Sequence, residues 1–116
     1  MTEEDVSGSG IDPFTSLTLV AFEIPADTAF AAHVHTKPCA PPDKGGGHYQ
    51  NVPGGATDES NEVHLDFTSN GAGVGVRHVR APFAVRRGGA HSVVIHDAEK
   101  DAAGKLPKLA CVDVEF

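Results

Sequence analysis

The chain lacks the features that would put it in a membrane or on nucleic acid. None of its apolar runs approaches the length of about 20 residues that a helix needs to cross a bilayer. Basic residues are scarce: 9 Lys and Arg stand against 16 Asp and Glu, a formal charge of −7. That balance argues against nucleic acid or an anionic membrane as partner. The start, Met1-Thr2-Glu3-Glu4-Asp5, is acidic where a signal peptide requires a positive region, so none is expected here, although a secreted precursor loses such a segment on export. Tryptophan is absent, tyrosine occurs once, and the two cysteines are uninformative by count. There is no internal repeat.

Glycine and proline are plentiful, 13 and 8 in 116 residues, with short apolar runs between them. This favours one all-β domain with a single modest core over a helical one. Strands are expected at residues 16–23, where Leu17, Leu19 and Ala21 alternate with Thr18, Val20 and Phe22, and at 28–35. A third is expected at 62–68, with Val63, Leu65 and Phe67 opposite Glu62, His64 and Asp66. The remaining strands fall at 74–80, where imperfect alternation predicts a bulge, at 92–97 and at 109–116. Residues 69–73 form a hairpin turn, and 82–87 an edge segment or loop. Residues 36–60 are irregular, with a triple glycine at 45–47, and so long a loop is uncommon unless functional. Residues 1–15 read as a flexible lead, of which 10–15 resemble an appended tag, leaving the domain at 16–116.

Four histidines carry the chemistry. His33 and His35 are two apart on a strand, so they share a face while Val34 turns to the core; His48 lies in the glycine-rich loop and His96 on the strand at 92–97. Imidazole ligands suit copper and zinc better than magnesium or calcium. Cys39 follows the first pair and Cys111 lies in the last strand. They are either bridged or two buried free thiols; a bridge would close about 70 residues, stabilise the fold by about 4 kcal/mol and place the protein outside the reducing cytosol. Arg77, Arg80, Arg86 and Arg87 read as a solvated basic run, His78 and His91 as surface histidines, and Tyr49 as packing.

The segments Ala32-His33-Val34-His35-Thr36-Lys37-Pro38-Cys39, Gly46-Gly47-His48-Tyr49, Val93-Val94-Ile95-His96 and Lys108-Leu109-Ala110-Cys111 resemble, in order, the copper-zinc superoxide dismutase family, over residues 17–116. The resemblance implies copper ligands at His33, His35, His48 and His96, a Cys39–Cys111 disulfide, and Lys108 where the family has an active-site arginine. It implies an eight-stranded Greek-key barrel or sandwich of the superoxide dismutase type, here without its first hairpin, and extracytoplasmic localisation. An incomplete barrel leaves edges open, so a homodimer or strand-completing partner is expected. The substrate implied is superoxide, an anion, which requires local positive potential near the metal in a chain of net negative charge.

The zinc half of the family motif is broken. His48, His64 and Asp66 give three ligands where four are usual, the pair His64-Leu65-Asp66 is one residue short, and Asp58 is a candidate fourth. In place of zinc, Glu62 or Asp66 is expected to hold the second nitrogen of His48. With the short stretch at 97–107, this resembles the copper-only branch of the family. Two functions follow: dismutation of superoxide, with His48 accepting a proton as it leaves copper and Lys108 attracting the anion, or a non-enzymatic copper-binding module for buffering, delivery or partner contact.

Overall fold

A computed structural model of the chain describes residues 3–9, 15–42, 44–97, 102, 104 and 108–116. Their strands are, in chain order, β1 (Glu3–Ser9), β2 (Thr15–Phe22), β3 (Ala29–His35), β4 (Phe67–Thr68), β5 (Gly75–Ala81), β6 (Ser92–His96) and β7 (Lys108–Asp113). No helix occurs among the described residues. The strands form two antiparallel sheets, ordered β1-β2-β5 and β4-β3-β6-β7.

Alternation explains the layering. On β2, Leu17, Leu19 and Ala21 are buried while their neighbours are half-buried; Phe30, Ala32 and Val34 of β3 and Val93 and Ile95 of β6 join the same core. Val63, Leu65 and Phe67 are buried, as their alternation requires. The ladder there is shorter than expected: of residues 62–68 only Phe67–Thr68 is strand, with a single bridge from His64 to His33. The cause lies in Asp66, whose Oδ1 accepts the Ala32 N–H at 3.0 Å, so a side chain stands where a ladder carbonyl would be.

Two further expectations are corrected. Residues 1–15 were expected to lie outside the fold as a flexible lead, whereas Glu3–Ser9 forms β1 and pairs in unbroken register with β2, from Glu3↔Phe22 to Ser9↔Ser16. Backbone pairing needs no favourable side chains, and β1 covers an edge of β2 that would otherwise be open. The tag-like residues 10–14 lie outside the described residues, as do most of the stretch at 97–107. The bulge expected in the strand at 74–80 is absent: β5 pairs residue for residue with β2, and its irregular alternation comes from small buried Gly75 and Ala81 around half-buried Arg77 and Val79. The irregularity lies between β6 and β7, where Ile95 pairs with Ala110 but His96 with Lys108, leaving Leu109 extra. That step sets Lys108 beside a site histidine.

Cys39 and Cys111 are joined in a disulfide across 72 residues, with their Cα atoms 5.7 Å apart. The Cys39 N–H also donates to Asp113 Oδ1 at 2.8 Å, so the long loop is tied to β7 twice. A structural disulfide fits an oxidising, extracytoplasmic compartment. No helix among the described residues is long and apolar enough to cross a membrane.

Candidate metal centre

β3 and β6 run side by side, and their alternate residues bring His33, His35 and His96 to one face. The chain then returns along β3: Thr36 N–H donates to Gly47 O at 2.9 Å, Tyr49 N–H donates to Val34 O at 2.8 Å, and His48 bridges His35. This return demands glycine. Gly45 has φ 97°, and a Cβ there would lie 2.7 Å from Val94 Cγ2; at Gly46, with φ 65°, it would lie 2.5 Å from Lys37 Cγ.

The four histidines thus meet. Taking one nitrogen from each of His33, His35, His48 and His96, the set lies within 4.8 Å of one another, close enough to hold a metal ion. The rings of His33 and His48 stack with centroids at 4.1 Å.

Hydrogen bonds occupy one nitrogen of His35 and of His48 and leave the other for a ligand. His35 Nδ1–H donates to Gly46 O at 2.9 Å, and His48 Nδ1–H donates to Glu62 Oε1 at 2.9 Å. His33 Nδ1 and His35 Nε2 are buried and accept no hydrogen bond, and His96 Nε2 is likewise buried. Burial first, then repulsion from the neighbouring rings, lowers His33 to about pKa 3. His35 falls to about 4, again chiefly by burial, against the opposing Gly46 hydrogen bond. Both rings are therefore neutral at physiological pH, the form in which imidazole binds metal.

Glu62 is the buried carboxylate of the site, 3% exposed. Its Oε1 accepts from His48 Nδ1 and from His64 Nε2 at 3.0 Å, and its Oε2 accepts from Gln50 Nε2 at 2.9 Å. Burial pushes its carboxyl upward, but the bonds from His64, His48 and Gln50 outweigh it and hold the pKa below the usual range. Of the two acids expected to orient His48, it is Glu62. Asp66 is instead bound to Ala32 N–H, with Oδ1 3.9 Å from His33 Nε2. His64 and Asp66 stand outside the four-histidine set, and Asp58 is exposed and accepts from Ser60. Lys108 donates from Nζ to Lys44 O at 2.8 Å and Gly46 O at 3.4 Å, the latter carbonyl being the one that holds His35.

Sequence reasoning missed the supports. Asn61 is buried and takes up backbone groups of Val52 and Ala56, shaping the loop that ends at Glu62. Gln50 and Arg86 act on the same loop, and no motif or spacing marks any of the three. Tyr49 is fully buried, as packing requires, and His78 is exposed beside Thr18. The chain matches no protein-family model and no curated protein.

Proposed function

We propose that the chain binds one copper ion between His33, His35, His48 and His96 and catalyses the dismutation of superoxide. One observation carries this reading: His33 Nδ1 and His35 Nε2 are buried nitrogens without a hydrogen-bond partner, beside two further imidazoles within ligand distance. Such groups cost stability unless something binds them. Four imidazoles fit copper better than a hard cation, and the histidines stand in the order the family resemblance requires.

Copper, when bound, supplies a one-electron cycle in which one superoxide is oxidised to oxygen and a second, with two protons, is reduced to hydrogen peroxide. The chain's own residues do the rest. His33, His35 and His96 hold the ion from the sheet. His48 is the exposed member, 37% of its side chain reaching solvent against 13% for His33, and its Nε2 takes up and returns a proton. Glu62 keeps the other His48 proton on Nδ1 and so fixes the tautomer. Lys108 supplies positive charge for the anion.

The strand order supports a Greek-key fold of the superoxide dismutase type, with seven strands among the described residues where the resemblance implies eight. The copper-only form is supported by Glu62 engaging one nitrogen each of His48 and His64. An open sheet edge is the place for a second copy or a strand-completing partner, and the disulfide fits a periplasmic, cell-surface or secreted protein. A second reading, a copper-binding module without catalysis, is favoured by one observation: Lys108 spends its ammonium on the Lys44 and Gly46 carbonyls. Metal content after purification without added metal, paired with superoxide decay by pulse radiolysis, separates the cases. One copper per chain with accelerated decay is expected. Copper without acceleration leaves the module, and a protein that takes up no copper refutes both.

A further inference from the structure

Two loops meet behind the metal centre, and one side chain joins them. Arg86, in the segment between β5 and β6, donates from Nη1 to Asn51 O at 2.7 Å and from Nη2 to Gln50 O at 2.9 Å. Its guanidinium carbon lies 4.7 Å from the centre of the Tyr49 ring, and its own N–H donates to Tyr49 Oη at 3.0 Å. Arg86 therefore grips the three residues that directly follow His48. The grip continues into the site, because Gln50 donates to Glu62 Oε2 while Glu62 Oε1 receives the His48 Nδ1–H.

We propose that Arg86 is a positioning residue for His48, acting through Tyr49, Gln50 and Glu62 to hold the ring in its Nδ1–H tautomer with Nε2 turned to the other three histidines. The role belongs to the forked guanidinium. Two parallel donations to successive carbonyls, with a flat face on an aromatic ring, are beyond a lysine ammonium. His48 needs such a device more than its partners, because His33, His35 and His96 stand on strands paired in one ladder, whereas His48 is held to β3 by a single bridge. Glu62 lies at the end of a loop and gains from having both oxygens engaged. The significance of the role rests on reading His48 as a metal ligand, but its test does not.

The experiment is the imidazole nitrogen spectrum of the metal-free protein above neutral pH, in wild type, Arg86→Lys and Arg86→Ala. Wild-type His48 is expected to be almost wholly the Nδ1–H tautomer. Arg86→Ala should raise its Nε2–H fraction about tenfold, the factor expected when roughly one net hydrogen bond of support is lost. Arg86→Lys should fall nearer to alanine than to wild type, with the His35 ring unchanged because Gly46 holds it independently. If alanine fails to fold, the lysine variant decides. An unchanged His48 tautomer in a folded variant overturns the proposal, as does an equal disturbance of His35, which would mean general loosening. Copper titration of the same samples tests the metal separately: a protein that shifts its tautomer as expected but binds no copper keeps the clamp and loses the function.

Discussion

The metal-free protein should be acid-sensitive because of the two histidines that the fold keeps neutral. His33 is lowered to about pKa 3 and His35 to about 4, both from the ordinary histidine value of 6.5, with burial as the leading cause. Between those folded values and 6.5 the unfolded chain binds more protons, so stability is full above about pH 6.5 and falls as pH drops towards 4. At pH 5 neither ring is protonated in the fold, while both are in the unfolded chain. Each histidine then costs about 2 kcal/mol relative to neutral pH, and the pair about 4 kcal/mol. Urea unfolding of chelator-treated protein reads this directly. With a slope of about 2 kcal/mol per molar, the midpoint should fall by about 2 M from pH 7.5 to pH 5. The double variant His33→Gln, His35→Gln should lose most of that dependence. Copper should oppose it, since metal and protons compete for the same lone pairs. A wild-type midpoint that does not move between the two pH values, or a double variant that keeps the full drop, would refute the reasoning.

Replacing His33 or His96 by alanine should weaken copper binding by about 100-fold or more, since even outer supports of a metal site are worth 10–100-fold. His78→Ala should leave it unchanged, and equal losses in calorimetric titration for all three would disprove the ligand assignment. Reducing the Cys39–Cys111 bridge should lower unfolding stability by about 4 kcal/mol, given the 72-residue separation. Non-reducing peptide mass spectrometry should find the two cysteines linked, and two freely alkylated thiols in folded, oxidised protein would contradict the bridge. In crystals of the fully metallated protein, anomalous diffraction at the zinc edge should give no peak within bonding distance of both His48 and His64. Such a peak would replace Glu62 with zinc as the partner of those two rings.

Local pattern was enough to place the elements that carry the site. Period-two alternation put Leu17, Leu19 and Ala21 inward on β2, and the H-x-H spacing put His33 and His35 on one face with Val34 in the core. The His33–His35 pair was legible because a strand fixes which residues share a face, whatever the strand pairs with, whereas His48 and His96 joined the set through the resemblance. The disulfide was legible only through resemblance, since spacing alone left two free thiols open.

What tertiary structure alone decided is long-range. Glu62 rather than Asp66 holds His48, because Asp66 is drawn to the Ala32 N–H and Glu62 is buried where two rings and Gln50 converge. Glu3–Ser9 became a strand through an edge that β2 offers only once folded; nothing in its serines and glycines announces it. The bulge moved to the β6–β7 pairing, because a register is a property of two strands and cannot be read from one. Arg86 looked like one charge in a solvated basic run, and only the approach of its segment to Tyr49, Gln50 and Asn51 makes it a clamp. Side-chain period is a short-range property that the sequence by itself determines; a polar group's partner depends on which distant backbone or ring the fold brings within 3 Å or so, and that is settled only when the sheets close.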